Sequence, residues 1–316
     1  MNKITIIGSG RVGSTIAYAL TCREIASEIV IIDINGARAL GEALDIRQGL
    51  PYNTACAVYA GGYDDAKDSD IVIITSGIAR QPGQSRLDLI KINIEIQKAI
   101  IPQITAQAPN AVYIIVSNPV DILTYAFCRL SGIPQTKVIG SGTILDTSRL
   151  RARLSEYCGI DAENINAYVF GEHGDSEFIP WSIANVTGVP ISEYENSFVG
   201  HNMITTPIDI DEITDYVRGS GARVIARKGA TFYAISSAVC HICKAILHDT
   251  NTVMPVSSMM NGEYGVRDVC LSTLNVIGRN GISGKLNPVL TDEEVAKLHN
   301  SASVLKKIIE DLDLKK

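Results

Sequence analysis

His173 has the clearest capacity for chemistry in this sequence, because a histidine titrates near neutral pH and can give or accept a proton at a reacting oxygen. It lies between glycines in the segment Gly171-Glu172-His173-Gly174-Asp175-Ser176. The remaining histidines lie in helical or polar stretches without an acidic motif around them: His201, His241, His248 and His299. We therefore expect a single acid–base centre, at His173.

Arginines in two segments are suited to small anions, because a guanidinium offers a planar fork that matches a carboxylate. Arg80 and Arg86 lie six residues apart around a Pro-Gly pair, in the polar segment 75–86. Arg149 ends the segment Asp146-Thr147-Ser148-Arg149, which opens a predicted helix. Gly83 and its polar neighbours predict a mobile lid over a site.

A dinucleotide-binding pattern opens the chain. Gly8-Ser9-Gly10-Arg11-Val12-Gly13 follows a predicted strand and begins a predicted helix, and Asp33 ends the next strand twenty residues after Gly13. The glycines allow a tight turn and let a pyrophosphate approach the helix N-terminus, where N–H groups and the helix dipole favour anions. An acidic residue at Asp33 accepts hydrogen bonds from ribose hydroxyls and repels a 2′-phosphate. This pattern predicts NAD as the cofactor, in preference to NADP.

Strands and helices alternate through the first half of the chain, which predicts a doubly wound α/β fold with a parallel sheet. The near-continuous apolar runs of this half are expected to be buried strands: Lys3–Ile7, Ile29–Ile32, 71–75, 112–117 and 138–139. From about residue 146 we expect longer helices and short strand-like pieces such as 167–170. The sequence thus predicts a Rossmann NAD-binding domain at 1–143 and an α+β substrate domain at 144–316. Ligands of such sheets bind at the carboxyl ends of the strands.

Composition excludes several classes of function. The 316 residues are 46% hydrophobic, and 28 basic against 34 acidic residues give a net charge of −6. Without a cluster of basic residues, we expect neither a nucleic-acid nor an anionic-membrane partner. The seven cysteines are an odd number scattered along the chain, which indicates reduced thiols. No apolar run reaches the length of a membrane span and no signal peptide is recognisable, so we expect a cytoplasmic protein.

Five segments together carry a family resemblance. Taken in order along the whole chain, they resemble the L-lactate/L-malate dehydrogenase family. The five segments are the glycine loop with Asp33, the loop from Arg80 to Arg86, Ser117-Asn118-Pro119-Val120-Asp121, Asp146–Arg149 and Gly171–Ser176. The resemblance implies an NAD-dependent enzyme that interconverts a small 2-oxo acid and the corresponding L-2-hydroxy acid.

The resemblance also implies the catalytic roles. His173 is expected to carry the proton, while Asp146 holds its other ring nitrogen and stabilises the imidazolium. Arg149 is expected to anchor the C1 carboxylate of the substrate, and Arg86 to polarise the carbonyl as the lid closes. Asn118 is expected to form a hydrogen bond with the substrate oxygen near the nicotinamide.

Further residues are expected to line the cofactor and the substrate. The expected cofactor-binding residues are Gly8, Gly10, Arg11, Val12, Gly13, Asp33, Ser76, Gly77, Asn118 and Ile235. The expected substrate-binding residues are Arg80, Asn118, Arg149 and Thr231. No metal site is predicted.

The sequence signals disagree about which 2-hydroxy acid is the substrate. Arg80 occupies the lid position at which malate enzymes of the family carry Arg, to pair with a second carboxylate, and lactate enzymes carry Gln. Glu172, the segment 178–182 and Thr231 instead resemble the lactate enzymes. We therefore expect a lactate-type enzyme with appreciable activity on oxaloacetate, and the alternative is a malate dehydrogenase.

Regulation and assembly are also implied by the resemblance. Lactate dehydrogenases activated by fructose 1,6-bisphosphate carry an Arg and a His at a subunit interface. This chain has the Arg, as Arg151, but Asn166 replaces the His. We expect little or no activation, and a homotetramer or a dimer as the assembly.

Two other classes of function compete with this interpretation. An NAD-binding protein without catalysis would lack the proton carrier, whereas His173 and Asp146 are present. A metal enzyme would use Cys240-His241-Ile242-Cys243, which lies in an apolar helical stretch without a second pair of ligands. We expect Cys240 and Cys243 to be buried core residues.

Overall fold

One large sheet runs through the computed structural model, which describes residues 2–52, 55–78, 86–197, 207–312 and 314. In the described residues the strands are β1 (Lys3–Ile7), β2 (Glu28–Ile32), β3 (Ala57–Ala60), β4 (Ile71–Ile74), β5 (Val112–Ile115), β6 (Val138–Gly140), β7 (Ile165–Asn166), β8 (Asn185–Val186), β9 (Val189–Pro190), β10 (Thr252–Asn261), β11 (Arg267–Gly278) and β12 (Gly281–Leu286). The large sheet has the order β12-β11-β10-β6-β5-β4-β1-β2-β3, and β7, β8 and β9 form a separate small sheet.

Helices cover the large sheet and fill the second half of the chain. They are α1 (Arg11–Cys22), α2 (Gly36–Gly49), α3 (Arg86–Gln107), α4 (Val120–Leu130), α5 (Ile144–Cys158), α6 (Ile191–Ser197), α7 (Ile210–Lys228), α8 (Tyr233–His248) and α9 (Asp292–Glu310). In the part of the chain that the structure describes, none of them combines the length and apolarity of a membrane-spanning helix. Cys240 and Cys243 lie in α8 with fully buried side chains, which confirms their interpretation as core residues.

The first half confirms the predicted doubly wound fold. Strands β1 to β6 are parallel neighbours in the order β3-β2-β1-β4-β5-β6, which is the order of dinucleotide-binding sheets. Every residue of β4 is fully buried, as expected for a strand covered by helices on both faces. The sequence did not predict β3, because this short strand lies at the edge of the sheet and only Val58 in it is buried.

The second half departs from the prediction of helices and short strands. β10, β11 and β12 form a long antiparallel meander that continues the large sheet, with Ser257 of β10 paired to Gly140 of β6. The apolar alternation of a strand is interrupted here by buried polar residues, of which Ser258 donates a hydrogen bond to Asn275 across the two strands. The expected strand at 167–170 is wrong, since only Phe170 pairs there, with Phe178.

The predicted boundary at residues 143 and 144 lies in the turn between β6 and α5, which packs closely against the second half of the chain. β6 ends at Gly140 and α5 begins at Ile144, so the chain turns within three residues. A Cβ on Gly142 would lie 2.2 Å from the Ser272 hydroxyl, and this glycine has a φ of +51°. The turn brings the start of α5 to the carboxyl end of the parallel strands, where the candidate site lies.

Candidate active site

The glycines of the loop between β1 and α1 differ in how much space surrounds each of them. A Cβ on Gly13 would lie 1.8 Å from the carbonyl oxygen of Gly8, and a Cβ on Gly8 would lie 2.7 Å from the Thr75 hydroxyl. Chain packing alone therefore requires glycine at both positions. Gly10 precedes α1 and has nothing within 4 Å of an added Cβ. The open space at Gly10 is where a pyrophosphate can approach the helix N-terminus.

Asp33 stands directly after β2 and is held by its neighbours in one orientation. Its Oδ2 accepts hydrogen bonds from the N–H (2.6 Å) and hydroxyl (2.9 Å) of Ser9, and its Oδ1 accepts one from the N–H of Asn35 (2.8 Å). Burial opposes ionisation of Asp33, but these hydrogen bonds outweigh it and hold the pKa below its usual value. The ionised carboxylate retains an acceptor site for a ribose hydroxyl and would repel a 2′-phosphate.

A cavity of about 570 Å³ connects these two features. Its size and its mixture of apolar walls with a few polar groups fit part of a dinucleotide. The Ser76 hydroxyl beside it is buried and has no hydrogen-bond partner among the described residues, so a bound ligand could satisfy it. The residues that line the cavity include Gly8, Gly10, Asp33, Ser76, Gly77 and Ile78.

Asn93 of α3 joins the two loops that follow β4 and β5. Its side-chain Oδ1 accepts a hydrogen bond from the N–H of Ile78 (2.9 Å), and its Nδ2 donates one to the carbonyl of Asn118 (2.8 Å). Asn93 is buried, whereas Asn118 is exposed and its Oδ1 accepts a hydrogen bond from the N–H of Val120 (3.3 Å). Sequence reasoning missed Asn93, although a lone Asn at a buried position of a helix is a usable signal.

His173 and Asp146, the predicted acid–base centre, form a hydrogen-bonded pair. The ring Nδ1 of His173 lies 2.6 Å from Oδ2 of Asp146, and the side chain of His173 is 27% exposed against 3% for Asp146. Burial opposes the charged imidazolium, but the Asp146 carboxylate outweighs it and raises the pKa of His173 to about 9. Because Nδ1 is engaged by Asp146, Nε2 is the nitrogen that can exchange a proton with a ligand.

Arg149 lies on the other oxygen of Asp146, one helical turn along α5. Its Nη1 donates a hydrogen bond of 2.7 Å to Oδ1 of Asp146. Burial would raise the pKa of Asp146, but His173 and Arg149 together hold it below its usual value. A guanidinium has five N–H donors, so Arg149 keeps donors for a substrate carboxylate. Gly221 of α7 lies beside this guanidinium. A Cβ added to Gly221 would lie 3.7 Å from Nη2 of Arg149.

Asp121 fixes the backbone that carries His173. Its Oδ2 accepts a hydrogen bond from the N–H of His173 (2.7 Å), and its Oδ1 accepts one from the Ser257 hydroxyl (2.6 Å). Burial raises the pKa of Asp121 to about 6, although these hydrogen bonds favour its ionised form. The sequence singled out the segment that contains Asp121 without assigning it a role, because both partners are remote in the chain.

The junction of α7 and α8 lies beside the glycine loop. An added Cβ on Gly229 would lie 3.4 Å from a guanidinium nitrogen of Arg11, and Thr231 follows two residues later with a half-buried side chain. Val12 and Ile235 pack on the same apolar cluster. Arg11 at the start of α1 thus lies beside the turn between α7 and α8.

The side chains of two expected site residues, Arg80 and Arg86, and the expected lid lie outside what the structure describes. Arg80 and Gly83 lie outside the described residues, and Arg86 is described only as the first residue of α3. At the two positions of the incomplete phosphate site, for which we expect little or no activation, the Arg151 Nε donates to the carbonyl of Ala167 (3.0 Å). The side chain of Asn166 donates to that of Asn185 (3.2 Å).

Two family models cover the chain. Residues 2–140 match the NAD-binding domain of lactate/malate dehydrogenases, and residues 143–314 match the α/β C-terminal domain of the same enzymes.

Curated relatives match the chain from end to end. An L-lactate dehydrogenase of Thermoanaerobacter sp. strain X514 is 47% identical over 317 residues, which cover 99% of this chain and 100% of the relative. An L-lactate dehydrogenase of Lacticaseibacillus casei is 44% identical over 98% of this chain and 94% of its own length.

Solved structures agree with these matches. The ligand-bound minor L-lactate dehydrogenase of Enterococcus mundtii superposes with a TM-score of 0.94 at 37% identity, over 99% of both chains. A lactate dehydrogenase from a Medee basin deep-sea metagenome library gives a TM-score of 0.93 at 37% identity, over 98% of both chains. Both likenesses extend over the NAD-binding half and the substrate half together.

Proposed function

Because the chain belongs to the lactate/malate dehydrogenase family, we propose that it reduces pyruvate to L-lactate with NADH and catalyses the reverse oxidation. The observation that carries this proposal is the arrangement of His173 and Arg149 on the two oxygens of buried Asp146, at the carboxyl ends of the strands. It combines a proton carrier with an anion-binding group, as reduction of a 2-oxo acid requires. The full-length relatives named L-lactate dehydrogenase support the choice of pyruvate.

NADH supplies the hydride for the carbonyl carbon when it is bound at the glycine loop and Asp33. The chain supplies the proton: protonated Nε2 of His173 gives its proton to the carbonyl oxygen as the alcohol forms. Asp146 holds Nδ1, so the ring keeps its orientation and the imidazolium is stabilised before the transfer. In the oxidation direction neutral His173 takes the proton back from the hydroxyl of lactate.

Arg149 is proposed to bind the substrate carboxylate. Its guanidinium is only 15% exposed and is held by Asp146, so its orientation is set before a substrate arrives. Hydrogen bonds to a charged group contribute about 1.5–3 kcal/mol each. Arg149 and His173 are both hydrogen-bonded to Asp146, so their relative positions are fixed. A substrate whose carboxylate binds Arg149 therefore has its carbonyl oriented relative to His173.

Arg80 is the reason to propose a second substrate. A guanidinium at the lid pairs with the second carboxylate of oxaloacetate, whereas with pyruvate it faces a methyl group. We therefore propose appreciable oxaloacetate activity beside the main reaction. The alternative is an L-malate dehydrogenase, which Arg80 alone favours, while the relatives favour the lactate type.

A two-substrate kinetic comparison tests this proposal. kcat/KM is measured for pyruvate and for oxaloacetate in the unmodified enzyme and in Arg80→Gln, each with NADH. We expect pyruvate to be the better substrate and Arg80→Gln to lose oxaloacetate activity selectively. A preference for oxaloacetate of about 100-fold in the unmodified enzyme, roughly 2.7 kcal/mol, would overturn the lactate assignment.

Assembly and compartment belong to the same proposal. From the family resemblance we propose a homotetramer, with a dimer as the alternative. All seven cysteines are free, as expected in the reducing cytoplasm. Light scattering on the purified protein distinguishes the two assemblies.

A further inference from the structure

A third carboxyl group, that of Glu177, lies against the acid–base centre. One oxygen of Glu177, one of Asp146 and a ring nitrogen of His173 all lie within 4.8 Å of one another. The residue is only 6% exposed. The mechanism above gives Glu177 no role, yet a buried carboxyl at this distance affects the proton on the imidazole electrostatically.

The backbone holds Glu177 in this place. Its N–H donates to the carbonyl of Gly174 (3.2 Å), its carbonyl accepts a hydrogen bond from Arg218 of α7 (3.3 Å), and the next residue, Phe178, pairs with Phe170. The carboxyl itself has no hydrogen-bond partner among the described residues. Glu172 differs, because its carboxylate accepts a hydrogen bond of 2.5 Å from Ser176. Glu177 is therefore the carboxyl of this loop whose ionisation depends on the charges around it.

Those charges come from three elements. Asp146 and Arg149 face Glu177 from α5, Arg218 faces it from α7, and His173 faces it from its own loop. Burial, together with the Asp146 carboxylate, raises the pKa of Glu177 to about 8.

His173 is influenced in turn. Beyond Asp146, the carboxyls of Glu177 and Asp121 also raise the pKa of His173. Linkage is reciprocal, so the imidazolium favours ionised Glu177 as much as ionised Glu177 favours the imidazolium.

We propose that Glu177 is a positioning residue for the proton on His173: its charge appears beside the ring as the solution becomes alkaline and keeps His173 able to act as an acid beyond the range that Asp146 alone provides. Because its pKa is raised, the carboxyl adds less negative charge at neutral pH than an ordinary Glu would to a site that must admit an anionic substrate. The inference rests on the proposed role of His173 as the proton carrier.

The kinetic test compares Glu177→Gln and Glu177→Leu with the unmodified enzyme. The pH dependence of kcat/KM for pyruvate is measured from pH 6 to 10. We expect the alkaline limb to move to lower pH by about half a unit or more in both variants, because each removes a negative neighbour of the imidazolium. Asp175→Asn is the matched control: it removes an exposed carboxylate two residues earlier in the loop and should leave the limb in place.

Two readouts are independent of turnover. The Cε1 proton of His173, identified in NMR spectra by its absence from His173→Gln, should titrate at lower pH in the Glu177 variants. The melting temperatures of Glu177→Gln and the unmodified protein should be close at pH 5, and the variant should melt a few °C higher at pH 8.5. The reason is that the folded pKa of Glu177 lies above its unfolded value of 4.5, so its contribution to stability is lost as pH rises from 4.5 towards 8.

The outcomes separate the inference from the proposed function. A uniform loss of kcat at every pH, with the limb and the His173 resonance unmoved, means that Glu177 is merely structural and overturns the inference. A shifted resonance in a protein that does not reduce pyruvate keeps the electrostatic coupling and overturns the proposed function instead.

Discussion

The two ends of the candidate site are built differently: the backbone forms the glycine loop, and side chains form the acid–base centre. At the glycine loop the backbone itself forms the surface, and the close contact of Gly13 with the Gly8 carbonyl sets its shape. At the acid–base centre, buried side chains determine the site, and each charge is held by another. A backbone site is sensitive to added volume, whereas a site of buried charges is sensitive to the loss of one charge. Substitutions that change only volume or only charge therefore distinguish the two ends.

The largest effect is expected from removal of the proton carrier. His173→Gln keeps the approximate size of the side chain but cannot protonate the carbonyl oxygen. We expect kcat for pyruvate reduction to fall by about 10²–10⁴-fold, as measured by steady-state NADH oxidation. NADH affinity, followed by its fluorescence, should be almost unchanged, because the glycine loop lies at the other end. A comparable loss of NADH binding would show that the two ends are not separable.

A volume-only change at the glycine loop should affect folding at one glycine and binding at another. Gly13→Ala places a Cβ 1.8 Å from the Gly8 carbonyl, so we expect a loss of about 1–3 kcal/mol in the free energy of unfolding. Gly10→Ala meets nothing within 4 Å and is the matched control for stability. It should weaken NAD binding with little change in stability. Urea unfolding and NADH titration of both variants check this, and equal stability of the two would contradict the packing argument.

A charge-only change at the glycine loop should give the smallest of these effects. Asp33→Asn keeps the volume but removes the negative charge that we expect to accept ribose hydrogen bonds and to repel a 2′-phosphate. We expect kcat/KM to fall by about 10-fold for NADH and to rise for NADPH, since one charged hydrogen bond contributes about 1.5–3 kcal/mol. The ratio of the two kcat/KM values is the measurement, and an unchanged ratio would mean that Asp33 does not set cofactor choice.

The same division explains how much of the fold could be predicted. The parallel strands and the glycine loop were recognisable because their signals are local: continuous apolar runs, a Gly pattern, and an acid at a fixed distance. The meander β10–β12 was not, since its strands carry buried Ser258 and Asn275, which satisfy each other across the sheet. A polar residue in a strand looks exposed until its partner in another strand is known.

Some residues of the candidate site could likewise be assigned from the sequence, and others could not. The types of side chain at His173, Asp146 and Arg149 were sufficient to name the chemistry. Asp121 and Glu177 were not assigned, because the hydrogen bond from Ser257 to Asp121 spans 136 residues and the contact of Glu177 with Asp146 depends on how α5 meets the loop after β7. The positions of Arg80 and of the side chain of Arg86 remain predictions.

By itself, the sequence determined the α/β class of the NAD-binding half, the preference for NAD and the presence of a single histidine suited to proton transfer, because these depend on residues close in the chain. Only the tertiary structure decided that three carboxyls surround that histidine. Electrostatic coupling depends on distances of a few ångströms and on the exclusion of water, and only folding brings Asp121, Asp146 and Glu177 to His173 and buries them there.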